Sequence, residues 1–182
     1  SSKDGAITAT SSEIQKLMGS LRAFQSSLRD TEGLGIPADF LLLLLRSGNW
    51  AWYRQGMSTA SHMMLQTQAF LQEKGIAFKA TFDKKRDEEV LVIQPDQGEK
   101  FKLIGSAFES RALRQCFEVY HEVKDLVEGH SFVVTKKGKV VGADLSWNQL
   151  PDALAQHADK AGINIQRYKG LSQFDPCILI RS

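Results

Sequence analysis

Few residues in this chain could do covalent chemistry, and the first candidates fall on one stretch. His121-Glu122 followed by Asp125 has the outline of an HExxH zinc helix, with aspartate where the second histidine would stand. An exposed helix face of this kind is ordinarily just solvated, so a small hydrolase built on His121 is the weakest reading open here. Cys116 lies five residues before His121, a poor alignment for a thiolate–imidazole pair on one helix. On an apolar helix face it reads as inert core. Gly33-Leu34-Gly35 follows a helical pattern, not a strand, so this GxG does not open a dinucleotide site. No phosphate-binding loop of the GxxxxGK type, no DxD pair and no EGD-type metal turn occurs in the sequence. Cys116 and Cys177 form no CxxC pair, which argues against zinc or thioredoxin-type chemistry. The expectation is a chain with no self-contained active site and no cofactor of its own.

Charge offers the other route to function. With 23 basic and 21 acidic side chains the formal charge is +2, so the chain is not a polybasic DNA-coating protein. Residues 1–74 carry 7 basic and 6 acidic groups, 75–128 carry 9 and 11, and 129–182 carry 7 and 4. Only the last part is clearly positive. Lys136, Lys137 and Lys139 sit at a hairpin tip there, and Arg167 and Lys169 follow the last strand. Exposed cations on a fixed scaffold suit phosphate contacts, although turn lysines also serve solubility and edge protection. Around Lys84, Lys85 and Arg86 the acids Asp83, Asp87, Glu88 and Glu89 cancel the field. Trp50, Trp52 and Tyr53 form a stacking platform, a protein contact, or simply a cluster packed on the helical part.

These groups need elements to hold them. Hydrophobic residues at 42% and charged residues at 24% belong to an ordinary globular chain. Thr10 with Glu13 reads as a capping box opening a helix that places Ile14, Leu17, Met18, Leu21, Phe24 and Leu28 on one face. Pro37 suits the first turn of a short helix over 38–45, and the aromatic cluster follows in a loop. The run Leu41 to Leu45 is far too short to span a membrane. A third helix over 58–74 is stopped by Gly75. Strands follow at 77–82, 89–93 and 100–104. Ser106 caps a long helix to 127, with Leu113, Phe117, Tyr120, Val123 and Val127 on one face. A hairpin pairs 131–135 with 139–141, a last helix covers 146–160, and Gly162 releases a strand over 163–167. The class is therefore α+β: an N-terminal helical block (1–74), then short antiparallel strands interleaved with two longer helices (75–182). Residues 1–5 hold no apolar signal-peptide run, so a reducing cytoplasm is the expected compartment.

One stretch is more specific. Ile165-Gln166-Arg167-Tyr168-Lys169-Gly170-Leu171 resembles the QRYKGLGEM motif of the B subunit of bacterial DNA gyrase, and the YKGL of type IIA topoisomerases generally. Gly105, the helix with Tyr120 and Leu126-Val127-Glu128-Gly129, the Phe132 hairpin and the helix before Gly162 follow the order expected ahead of that motif. Lys3-Asp4-Gly5-Ala6 looks like the segment leaving the family's Toprim core. Residues 10–104 resemble, in length and helical opening, the large insertion of many Gram-negative B subunits. Beyond Leu171 the chain departs, with Ser172-Gln173-Phe174-Asp175-Pro176 where the family has Gly-Glu-Met-Asn-Pro, and an apolar 177–180.

The resemblance implies a C-terminal piece of a B subunit whose enzyme introduces negative supercoils using ATP and Mg2+. The ATPase domain and the Toprim magnesium carboxylates would lie outside this piece, which would hold no catalytic residue or metal. Its partners would be duplex DNA and the gyrase A subunit, with no membrane. Arg167 and Lys169 would be cations facing DNA or a partner, Gly170 would allow close backbone approach, and Tyr168 and Leu171 would anchor the segment. The residue-based alternative is an adaptor that binds protein only.

Overall fold

The computed structural model describes residues 6–7, 11–48, 50–127, 130–157 and 162–169. The chain is α+β and divides into two compact units, one made of residues 1–25 with 122–182 and the other of residues 26–121. The change from helices to strands near residue 75 falls inside the second unit.

In the discontinuous unit, helix α1 (Ser11–Glu32) begins and helix α5 (Arg111–Val127) ends, and each of these two helices continues into the other unit. The sheet has strand order β1-β7-β5-β6, built from β1 (Ala6–Ile7), β5 (His130–Lys136), β6 (Lys139–Leu145) and β7 (Ile163–Lys169). Its pairings are antiparallel throughout. The core draws on Ile14, Leu21 and Phe24 of α1, Val123 and Val127 of α5, and Phe132, Val133 and Val134 of β5. β5 and β6 meet through Lys136 and Lys139, leaving Lys137 (φ 50°) and Gly138 (φ 78°) as a two-residue turn. Two positive φ angles in that position match the twist of the flanking strands. Two register shifts interrupt the β5–β6 ladder, so β6 is a bulged strand at the sheet edge.

The continuous unit carries α2 (Ala38–Arg46), α3 (Ala51–Arg54), α4 (Ala60–Lys74) and a sheet of order β2-β3-β4. Its strands are Ala77–Asp83, Glu88–Gln94 and Phe101–Ile104. α4 is bounded as its sequence requires: the Thr59 side chain accepts from the His62 N–H at 3.2 Å, and Gly75 (φ 68°) ends the helix. The Asp83 carboxylate holds the β2–β3 turn by accepting from the Lys85 and Arg86 N–H groups.

Three expectations need correction, and one strand was not expected. Trp50, Trp52 and Tyr53 do not lie in a loop: Ala51–Arg54 is one helical turn with Trp50 at its N-cap. At about 100° per residue, Trp50 and Tyr53 share a face while Trp52 starts from another side of the turn. Tyr53 is accordingly buried and Trp52 is 64% exposed. Ser106 does not cap α5, because residues 105–109 form a short 3-10 helix and the Ser106 N–H donates to Glu88 Oε2 at 2.8 Å. Ser110 does the capping, accepting from the Leu113 N–H at 3.2 Å. The last helix, α6, spans only Leu150–Ala155. Pro151 has no N–H to give and belongs in a first turn, so a helix begun at Ser146 would misplace it. Finally, β1 is a strand that no sequence pattern announces, since two residues carry no periodicity. Thr10, Gly129, Gly170 and Cys177 lie outside the described residues.

Around Phe117, Tyr53 and Trp50 pack edge-on with ring centroids at 4.8 and 5.4 Å, and Tyr53 also meets Phe108 at 5.8 Å. The Tyr53 hydroxyl donates to the Phe108 carbonyl at 2.7 Å in this buried setting. Burial pushes that phenol well above its ordinary range. Tyr53→Phe leaves the carbonyl without its donor and is expected to cost about 1–2 kcal/mol. Urea unfolding followed by tryptophan fluorescence measures this.

Candidate functional site

The cations singled out from sequence do not form one group. Lys136 is paired with Ile163 across the β5–β7 ladder, whereas Lys169 is paired with His130 at the other end of β5. Six residues at about 3.3 Å each separate these ends by about 20 Å. Lys137 and Lys139 are exposed at the hairpin tip, and Lys136 is half-buried beside them. The tip is tied to the strand it faces, since the Lys137 N–H donates to the Gly162 carbonyl at 3.0 Å. A Cβ at Gly162 would stand 3.2 Å from Lys137 Cγ, and its φ of +73° also favours glycine.

Arg167 has local work. It shares the strand alternation of the buried Ile163 and Ile165, and its guanidinium donates to the Asp125 carbonyl at 3.0 Å in the last turn of α5. A cation at a helix C-terminus satisfies an orphan carbonyl and complements the dipole. Tyr168 and Lys169 are placed on β7 by their backbone alone.

The His121 group comes apart as well. Cys116 is fully buried while His121 and Glu122 are exposed, so thiol and imidazole occupy different faces of α5. Burial pushes the Cys116 thiol up from 9.0 to about 11, and a hydrogen bond with Ser27 opposes that only in part. Among the described residues no group of three or more His, Cys, Asp or Glu side chains is arranged to hold a metal. No helix among them is long and apolar enough to cross a membrane.

The continuous unit contains a concave site that sequence reasoning did not assemble. A cleft of about 440 Å³ opens beside α3 and α4, lined by Trp50, Trp52, His62, Gln66, Phe70 and Glu73 among others. The polar residues come from α4 and the segment just ahead of it: Ser58 precedes the helix, and His62, Gln66 and Glu73 lie on α4 at spacings of four and seven. Ser58 Oγ and Gln66 Nε2 stand 3.3 Å from the two ring nitrogens of His62. That spacing was the available signal, but it gains meaning only once the tryptophans face it. Within the described lining there is no lysine or arginine.

Compared with protein-family models, curated proteins and solved structures, the chain matches none.

Two measurements check this geometry. With Cys177 replaced by serine, Cys116 should react with a thiol reagent at pH 8 at least ~100-fold more slowly in the folded chain than in urea. The raised thiol pKa contributes stability that is complete below pH 9.0 and lost as pH rises through about 11. Denaturation midpoints should therefore fall across that interval, less so in Cys116→Ala. Lys137→Asn, which suits a positive φ, should leave the thermal midpoint unchanged or raise stability by roughly 0.5 kcal/mol. A clear loss would contradict the two-residue turn.

Proposed function

We propose that this chain is a non-catalytic region of a type IIA topoisomerase B subunit of the gyrase kind, contacting duplex DNA and the gyrase A subunit. The observation that supports it best is the division of the chain. Residues 26–121 form one continuous unit, flanked in sequence by the two parts of the other. Within that other unit, Ala6 pairs with Gln166 and Ile7 with Ile165. An inserted body needs its flanking host segments to share a fold in this way. The same strand, β7, carries the Gln166-Arg167-Tyr168-Lys169 stretch on which the resemblance rests.

On this reading ATP turnover and magnesium chemistry belong to other parts of the enzyme. The hairpin tip contributes Lys136, Lys137 and Lys139 to DNA phosphates, Lys169 adds a separate contact, and Arg167 positions β7 against α5. Gly170 keeps the role the resemblance implies, close backbone approach. The compartment is the bacterial cytoplasm. A second reading, a protein-only adaptor, draws on the engagement of Arg167 by Asp125 and on the distance between the two basic ends.

Anisotropy of a labelled duplex between about 50 and about 200 mM salt separates the two. Three tip contacts would give log K against log salt a slope of roughly −3, and Lys169 would add about one more. Replacing Lys136, Lys137 and Lys139 should remove most of that slope, and Lys169→Ala a further part. Undetectable binding at low salt, or an unchanged slope, would overturn the DNA contact. Capture of the gyrase A subunit without DNA binding would then favour the adaptor.

A further inference from the structure

The cleft of the continuous unit plays no part in the proposed DNA contact, and its chemistry is selective. Its volume of about 440 Å³ suits a small ligand. Trp50, Trp52, Tyr53 and Phe70 contribute to its walls. Two of those rings have their polar handles engaged elsewhere. The Trp50 indole N–H donates to the Leu44 carbonyl at 3.2 Å, and the Tyr53 hydroxyl donates to the Phe108 carbonyl at 2.7 Å. Trp50 offers a ligand ring surface, while Tyr53, 1% exposed and packed on Phe108 and Phe117, only backs the wall. The Trp52 residue is 64% exposed, and its side chain makes no ring contact or hydrogen bond among the described residues.

Glu73 supplies charge of one sign. Its carboxylate is exposed at the cleft and has no ion-pair or hydrogen-bond partner among the described residues. No lysine or arginine lines the described cleft, so a phosphate or carboxylate would meet no counter-charge. Electron-rich aromatic faces and an unpaired carboxylate lining one cleft attract the opposite class, an ammonium group with an apolar body.

We propose that this cleft binds an organic cation, an alkylammonium group held by the Trp52 and Trp50 rings and balanced by Glu73. The apolar body of the ligand lies against Ala69 and Phe70, and the His62–Gln66 pair borders its polar end. Such a cation comes either as a free amine or as a methylated lysine side chain of another protein, and both present the same group.

The test uses the full 182-residue chain. Benzyltrimethylammonium serves as the free cation, a short trimethyl-lysine peptide as the protein-borne one, and neopentylbenzene as the neutral shape-match. Binding is read by NMR shifts of the indole N–H signals. At least one cation should bind with the neutral analogue weaker by about 5-fold or more. The tighter of the two cations identifies the source. Trp52→Ala and Glu73→Gln should each weaken it about 5- to 10-fold, and Trp52→Phe should restore most of the loss. Both residues are exposed, so the folded chain is expected to tolerate these changes, which a thermal midpoint verifies. Leu65→Ala, exposed on α4 but outside the cleft lining, should leave binding as it is. Equal affinity for the neutral analogue, no binding of either cation, or unchanged binding in both Trp52→Ala and Glu73→Gln would overturn the proposal.

Discussion

The fold depends on two helices that each serve two cores. α1 gives Ile14, Leu21 and Phe24 to one unit and Leu28 and Thr31 to the other. α5 gives Leu113, Cys116 and Phe117 to the continuous unit, then Val123 and Val127 to the discontinuous one. Each unit would lose part of its apolar interior without its share of these helices. Burial of that kind is the dominant favourable term in folding, so the helical pattern of α1 and α5 constrains both units at once. A polar substitution at Phe117 or Phe24 therefore acts on packing, whatever the chain binds.

Much of this is legible in the residues, and the pattern of success is physical. The inward face of α5, the Gly75 stop and the Lys137-Gly138 turn are readable because each is set by local periodicity or by backbone chemistry at one position. α3 escapes notice because a single turn is too short for periodicity to show, and Trp50-Ala51-Trp52-Tyr53 has no breaker pattern of its own. Ser106 and Ser110 are both serines of suitable spacing for a cap, and only the distant Glu88 carboxylate distinguishes them. The β1–β7 pairing joins residues about as far apart in sequence as the chain allows, and nothing local encodes it.

The candidate sites illustrate the same division. Lysines near one another in sequence stay together at the hairpin tip, since a two-residue turn keeps them there. Net charge over a third of the chain groups Arg167 and Lys169 with them, but antiparallel register sends the two sets to opposite ends of β5. The cleft reverses the lesson. Its polar side is present as the helical spacing of His62, Gln66 and Glu73, but its aromatic side depends on how one helical turn orients three neighbouring rings. Composition says which groups are available, and register and helical phase decide which of them meet.

The bulges of β6 bear on a different matter, the behaviour of the chain in crowded solution. An edge strand with Val140 and Val141 exposed would ordinarily invite another strand to continue the sheet. Each register shift breaks the regular alternation of donors and acceptors and adds twist, so an incoming strand could not keep its ladder over more than a few residues. Lys139 at the start of the strand adds charge to the same edge. β6 thus protects against edge-to-edge association by shape first and charge second, and straightening it would trade solubility for a longer ladder.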